Sequence, residues 1–320
     1  MQTEIRQRIP VGISQCLTGS PVRFNASHKH SRLCTQQLGS LFELTPFCPE
    51  VAIGLSTPRA PIRLVGDPQA PRVVGTKDPR VDLTLPLQHY AEQVSQANPQ
   101  LCGFILMQKS PSCGMERVKV YRDNGHPADA PGSGAFAARL MARNPLLPVE
   151  EEGRLHDPVL CENFVTRVIV YAQWQGLQHD GLSAAALLRF HARHKYLAMA
   201  HHQGLYRELG PMLANLRQQD LQTTANAYFA RLMQCLKTPA QRGGHCNALQ
   251  HLAGHFKHVL KPQEKQELST LIDDYRRGTI PLVVPITLLK HHLLNHPDGY
   301  LVEQAYLQPH PAELSLRNAI

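Results

Sequence analysis

The sequence predicts two domains of different class. An α/β N-terminal domain with a mostly parallel sheet is expected over residues 1–160, and an all-α C-terminal helical domain over residues 161–320. Three observations lead there. Through about the first 145 residues, short apolar runs that end in loops alternate with helical segments, the pattern of a parallel sheet with crossover helices. From Leu182 onward apolar residues recur only at helical spacing. Between these stretches, residues 125–159 mix Gly, Pro and acids (GHPADAPGSG, then NPLLPVEEEGRLHDP), as a boundary region does.

In chain order, Val11 to Leu17 (VGISQCL) reads as a buried strand running into a loop. Leu41 to Val51 (LFELTPFCPEV) is a second such transition, and Leu101 to Gly114 (LCGFILMQKSPSCG) a third. Helices are expected around His89 to Ala97 and over Phe136 to Ala142. The stretch Val159 to Gln175 either closes the first domain or opens the second, so the boundary falls between about 150 and 180. Beyond it, SAAALLRFHARHKYLAMAHHQGLYRELGPML, LQTTANAYFARLMQCLK, CNALQHLAGHFKHVL, QEKQELSTLIDDYRRG and IPLVVPITLLKHHLLNH each carry a helical apolar period. GYLVEQAYL completes the set, and no fixed-period repeat occurs.

Composition narrows the function classes. Hydrophobic content of 42% suits a globular chain, and no run approaches the roughly 20 apolar residues of a membrane span. The opening segment MQTEIRQRIPVGISQ has no long apolar stretch, which predicts no secretory signal and a cytoplasmic protein. Net charge is +8; residues 1–159 carry 17 Lys/Arg against 14 Asp/Glu (+3) and residues 160–320 carry 16 against 11 (+5). A basic balance without a basic tail favours a polyanionic partner such as nucleic acid.

Eight cysteines in a large cytosolic chain are not a disulfide framework. In parallel sheets the binding loops lie at the carboxyl ends of the strands. All three strand-to-loop transitions carry a cysteine there: Cys16, Cys48 and Cys113. By spacing alone, two readings stand: three unrelated buried thiols, or a cluster or metal site with an open position. The absence of any CxxC pair disfavours structural zinc. Cys34, Cys102, Cys161, Cys235 and Cys246 are expected bystanders, with Cys102 in the core and Cys34 the one to watch as a spare ligand.

The local residues carry a resemblance. Cys16-Leu17, Val22-Arg23-Phe24, Cys48-Pro49-Glu50, Gly54-Leu55, Thr57-Pro58-Arg59, Asp82-Leu83-Thr84 and Ser110 to Gly114 occur in the order that marks the thiouracil desulfidase (TudS-like) family. The resemblance covers about residues 10–155. One departure is Phe24 to Ser27 (FNAS), where many members have an aromatic followed by Asp-Gly-Gly. The resemblance implies a [4Fe–4S] cluster held by Cys16, Cys48 and Cys113, with one iron left open as a Lewis acid for a soft thiocarbonyl sulfur. It also implies catalytic roles for Glu50, as base or proton shuttle, and for Ser110, as a hydroxyl that orients water or the pyrimidine. Without it, Glu50 reads as a surface carboxylate or a partner for Arg59, and Ser110 as a turn residue before Pro111.

The second half is similar to the YbgA-like domain over about residues 180–319, on FHARHKYLAMAHH, HCNALQHLAGHFKHVL, IPLVVPITLLKHH and EQAYLQPHPAELSLRN. The combination resembles RudS-type proteins, which implies removal of sulfur from 4-thiouridine in tRNA, with the helical domain holding the RNA. Candidate phosphate contacts are Arg189, Arg193, Lys195, Lys257, Lys261, Arg276, Arg277 and Lys290. A thiouracil stacked inside a folded tRNA would need extrusion to react. His251 and His255, four apart, offer one helix face and a possible metal pair. Other readings remain open at this point: free thiouracil as substrate with the helical domain used for dimerisation, an iron–sulfur protein that binds RNA or senses oxidants without turnover, and a zinc-bound regulator.

Overall fold

The computed structural model describes residues 8–122 and 124–320; the leader expectation for the opening segment falls partly on residues 1–7, outside the described residues. The chain divides into two compact units, one closing at His156 and one running Asp157–Ile320.

The first unit is built on a four-stranded, all-parallel sheet. Its strands are β1 (Ile9–Ser14), β2 (Phe42–Phe47), β5 (Phe104–Leu106) and β7 (Val149–Glu151), in the order β2-β1-β5-β7. The chain therefore leaves β1 to one side for β2 and returns past it to β5. A topological switch point thus lies between β1 and β5, and in open parallel sheets ligands bind outside the carboxyl edge at such a point. Helices α2 (Thr84–Ala97) and α3 (Ala135–Arg143) pack together, and their apolar faces cover Phe104, Leu106 and Val149. The expected helices are both present, α2 starting five residues earlier than the expected segment.

A second, three-stranded sheet was not legible in the sequence. Its strands are β3 (Ile62–Val65), β4 (Arg72–Gly75) and β6 (Val120–Tyr121), in the order β4-β3-β6, with β3 antiparallel to β4 and parallel to β6. The strand β7 also differs from expectation, because it lies inside the acidic stretch that reads as boundary. Glu150 and Glu151 are nevertheless buried. Each finds partners: Glu150 accepts from Arg154 Nε at 2.7 Å, and Glu151 accepts from the Met115 amide at 2.9 Å.

In the second unit every described element is helical. It opens with α4 (Pro158–His179), whose first turn is fixed by Asp157: its carboxylate accepts from the Val159 and Leu160 amides, with Pro158 at the first helical position. The unit boundary therefore falls at 156/157, a few residues before the expected 160/161, a division that would cut the first turn of α4. The expected long helix after Leu182 is two, α5 (Ala184–His201) and α6 (Gln203–Met212), because His202 is extended and its ring caps α6 at the Leu205 amide. Then follow α7 (Leu221–Lys237), α8 (Arg242–Gly254), α9 (Pro262–Arg277), α10 (Val283–Asn295) and the short α11 (Gly299–Val302). Trp174 of α4 stacks on Phe229 of α7 at 4.4 Å and meets Phe190 of α5 edge-on. A buried ion pair closes the unit: Arg317 Nε donates to Glu162 at 3.0 Å. No described helix is long and apolar enough to cross a membrane.

Candidate active site

Three adjacent parallel strands deliver the three cysteines. Cys16 follows β1 in a single 3-10 turn, Gln15–Thr18, which Gly19 ends at φ 98°. Cys48 follows β2 directly and stands at the N-cap of the short helix α1 (Pro49–Ala52), where the Val51 and Glu50 amides favour its thiolate. Cys113 stands on the loop after β5, seven residues past Leu106. With Glu50 and Ser110 they line one cavity of about 350 Å³ at the carboxyl edge of the sheet.

The loop that carries Cys113 is held from below. Gly134 precedes α3, and its Cα approaches so closely that a Cβ there would meet the Ser112 carbonyl oxygen at 2.5 Å. This approach lets the first turn of α3 bond the loop. The Ala135 amide donates to the Pro111 carbonyl at 3.1 Å and the Ala137 amide to the Ser112 carbonyl at 3.1 Å. Helix amides that would otherwise lack partners are satisfied by the cysteine loop itself. On the far side of the cysteine, Glu151 accepts from the Met115 amide, so β7 fixes the loop exit.

One wall of the cavity is a chain of hydrogen bonds. Ser112 Oγ donates to Glu50 Oε1 at 2.6 Å. A carboxylate only accepts, so the Ser112 proton is committed there and Ser110 is the donor across the 2.9 Å contact between the two hydroxyls. Ser110 Oγ in turn accepts from the Cys113 amide at 3.1 Å. The other oxygen of Glu50 is held by Arg59, whose Nε lies 2.8 Å and Nη2 2.7 Å away. Arg59 also donates to the carbonyls of Val22 and Ser56. Glu50 is thus both a partner of Arg59 and part of the cavity wall.

The thiols are in apolar surroundings. Burial pushes Cys16 up to about 11, with the neighbouring Cys48 adding to it. Burial raises Cys48 and drives Cys113 far above the ordinary thiol range, where Ser14 donates a hydrogen bond that works against it. Each of these thiols therefore resists ionising alone, and a bound cation is what would make them thiolates. Cys16 responds to Cys48 and Cys113 responds to Cys16, so the three lie within electrostatic reach of one another. All three are free. Among the described residues, no three His, Cys, Asp or Glu converge tightly enough for a single metal ion. Three thiols lining one cavity are the donor type that holds iron–sulfur clusters.

Other sequence candidates lie elsewhere. Cys34 and Cys102 are buried in the first unit and do not line the cavity; Cys161, Cys235 and Cys246 are buried in the second. Asp82 accepts from the Thr84 amide at the start of α2, away from the cavity. Arg189, Arg193, Lys257 and Lys261 are exposed. Arg276 and Arg277 are exposed too, but each pairs with an aspartate of its own helix, Asp273 and Asp274. Lys195 is half-buried over the Tyr196 ring, and Lys290 is half-buried against Gln308. His255 is engaged by Tyr196 at 2.9 Å and faces Asp298, while His251 is exposed. Sequence reasoning missed Ser14 and Ser112; the only local sign of Ser112 is its place beside Cys113.

The fold and site define a parallel α/β domain that gathers three thiols, a carboxylate and two serines at one strand edge, followed by a helical domain. The chain belongs to the two-domain thiouracil desulfidase-like family. The 2-thiouracil desulfurase family matches residues 11–152, and a family described as a protein of unknown function (DUF1722) matches residues 195–311. The uncharacterized protein YbgA of Escherichia coli (strain K12) is 36% identical over 159 residues, which is 49% of this chain and 94% of that protein. Among solved structures, a [4Fe–4S]-dependent thiouracil desulfidase, TudS, aligns with a TM-score of 0.37 and 28% identity over 48% of this chain and 97% of its own.

Proposed function

We propose that the chain is an iron–sulfur-dependent desulfidase that converts 4-thiouridine in tRNA to uridine and sulfide. The observation that carries the reading is the convergence of Cys16, Cys48 and Cys113, from three parallel strands, on one cavity whose wall is the Ser110–Ser112–Glu50 chain. Cys16, Cys48 and Cys113 would hold a [4Fe–4S] cluster with one iron free of protein ligands. Bound there, the cluster supplies a soft Lewis acid that polarises a thiocarbonyl.

The protein's own groups supply the rest. The reaction is hydrolytic: water adds its oxygen to C4 of the base, the C–S bond breaks, and sulfur leaves as hydrosulfide. Glu50 accepts the water proton, directly or through the Ser110 and Ser112 hydroxyls, and returns it to the leaving sulfur. Arg59 holds Glu50 in one orientation.

The helical domain holds the tRNA in this reading. Arg189, Arg193, Lys257 and Lys261 are exposed and suited to phosphate; Arg276 and Arg277 contribute less because aspartates partner them. Lys195 and Lys290, half-buried, stand at the edge of that set.

The test is to incubate thiolated tRNA anaerobically with cluster-reconstituted protein, following the near-UV thiouridine band and assaying sulfide in parallel. Loss of the band with equal sulfide is expected. Turnover of free thiouracil but not of tRNA would move the substrate to the small molecule, and no turnover of either would refute the enzyme.

A further inference from the structure

The helical unit has a cavity of its own. It encloses about 380 Å³ where α5 ends and where α6 and α8 begin, and no Asp, Glu, Lys or Arg lines it among the described residues. One wall is made of donors without acceptors. Helix α8 starts at Arg242 behind Gln241, whose side chain does not cap it. The Gly243 and Gly244 amides, in its first turn, meet no acceptor among the described residues. Gly244 is demanded by packing: a Cβ there would collide with the Ala200 carbonyl oxygen, and this approach seats the turn beside the end of α5. Asn247, half-buried one turn on, also lines the cavity and makes no side-chain hydrogen bond among the described residues. Open amides at a helix amino-terminus carry partial positive charge and take an anion.

His201 makes the opposite demand. It lines the same cavity, yet only 6% of it is exposed. Its Nδ1 lies 2.8 Å from the Thr238 carbonyl, which only accepts, so Nδ1 carries the proton. Asn163 Nδ2, 3.4 Å from the same nitrogen, gives its own hydrogen to the Leu236 carbonyl at 2.8 Å. Burial holds the ring below the ordinary histidine value; Glu162 and the Thr238 carbonyl oppose this, while Arg317 and Arg167 reinforce it. The neutral ring therefore keeps a bare lone pair on Nε2, which takes no hydrogen bond or ion pair among the described residues. A plain anion would set lone pair against lone pair there. The cavity asks for a ligand that accepts from the α8 amides and donates to His201.

We propose that this cavity binds hydrogenphosphate, an oxyanion that still carries a proton, with its charged oxygens on the Gly243 and Gly244 amides and its hydroxyl donating to His201 Nε2. Sulfate has the same shape and lacks the hydroxyl, so the site discriminates through an acceptor that sulfate leaves unpaired. A phosphodiester lacks the hydroxyl as well, which separates this site from the RNA-backbone contacts proposed for the exposed arginines and lysines.

Calorimetric titration of the full-length, cluster-loaded protein with inorganic phosphate and with sulfate, at mildly alkaline pH and matched ionic strength, tests this. Wild type should bind phosphate saturably and sulfate at least roughly tenfold more weakly. Gly243→Asp sets a carboxylate in the cavity, and nothing lies within 4 Å of where its Cβ would stand. An acid in the first turn suits the helix, so the melting temperature should hold while phosphate binding falls by roughly tenfold or more. His201→Gln, whose carboxamide can turn its NH2 toward the ligand, should narrow the preference for phosphate over sulfate to about twofold. The site is overturned by any of four results: no saturable phosphate binding, sulfate bound by wild type as tightly as phosphate, Gly243→Asp binding phosphate like wild type, or His201→Gln keeping the full preference.

Discussion

Ser112 gives its hydroxyl proton to Glu50 across 2.6 Å, and the two residues are 62 positions apart in the chain. The bond joins the loop after β5 to the helix after β2 in the wall of the cavity that the cysteines line. It also fixes the direction of the neighbouring contact, because it forces Ser110 to donate to Ser112. Removing it with Ser112→Ala leaves Glu50 Oε1 and the Ser110 proton without their partners. Turnover of thiouracil should fall roughly tenfold to hundredfold, in the range of a damaged proton relay. Iron and acid-labile sulfide per chain should match wild type. An active Ser112→Ala protein would remove the relay from the mechanism.

Arg59 is the other half of that arrangement. It and Glu50 form a buried pair, with side chains 6% and 13% exposed. Deleting one member of a buried pair strands the other, at a cost of about 3–5 kcal/mol. Arg59→Ala should therefore lower the melting temperature of the first unit by roughly 6 °C or more in a calorimetric scan. Arg59→Lys should not rescue it, since a single ammonium cannot reach Glu50 and the Val22 and Ser56 carbonyls together. A melting temperature within a degree of wild type for Arg59→Ala would contradict the buried-pair account.

What the sequence made legible, and what it hid, divides along this same line of locality. The strands before Cys16, Cys48 and Cys113 are short apolar runs followed by polar loops, so their hydrophobic pattern alone locates them, and the parallel sheet puts their ends together. The helix around His89 and the helical second half follow from periodicity in the same way. Nothing local announces β7. Glu150, Glu151 and Glu152 look like a solvated acidic run; Arg154 and His156, four positions on, partner the outer two, but the burial of Glu151 depends on the Met115 amide 36 residues away. Ser112 was hidden for the same reason, as its partner Glu50 lies on α1, 62 positions away. The break between α5 and α6 depends on one extended residue, His202, inside an unbroken helical pattern.

Gly134 tests the support of the Cys113 loop without touching any candidate ligand. A methyl there would meet the Ser112 carbonyl oxygen at 2.5 Å, and backbone cannot yield as a flexible side chain can. Gly134→Ala should displace Pro111 to Cys113 and break the bonds from Ala135 and Ala137. Anaerobic reconstitution of this variant should yield less than half the wild-type iron per chain, while fluorescence from Trp174, the chain's single tryptophan and a member of the second unit, stays unchanged. Full iron loading would show that the loop does not need the close approach.

Acid should unfold the second unit from within. Burial holds His194 down to about 4 and His245 down to about 3, against an ordinary value of 6.5. His194 is 1% exposed between the Phe190 carbonyl and Gln173, and His245 is 2% exposed against Tyr306. Both are neutral in the fold, so below about pH 6.5 the unfolded chain binds protons that the folded one refuses. Their contribution is complete above 6.5 and is lost as the pH falls toward 4, at roughly 1.4 kcal/mol per pH unit for each group. Glu162 acts in the same direction at lower pH: burial opposes its charge, but Arg317 and the histidines beside it hold it below the usual carboxylate range, so protonating it also favours unfolding. Trp174, stacked on Phe229 and 6% exposed, reports the event. Its emission should shift red in a cooperative transition between pH 6 and pH 4, and His194→Gln should move the midpoint to lower pH by removing one of the titrating groups. Emission that stays constant down to pH 4 would show that the buried histidines do not control the stability of this unit.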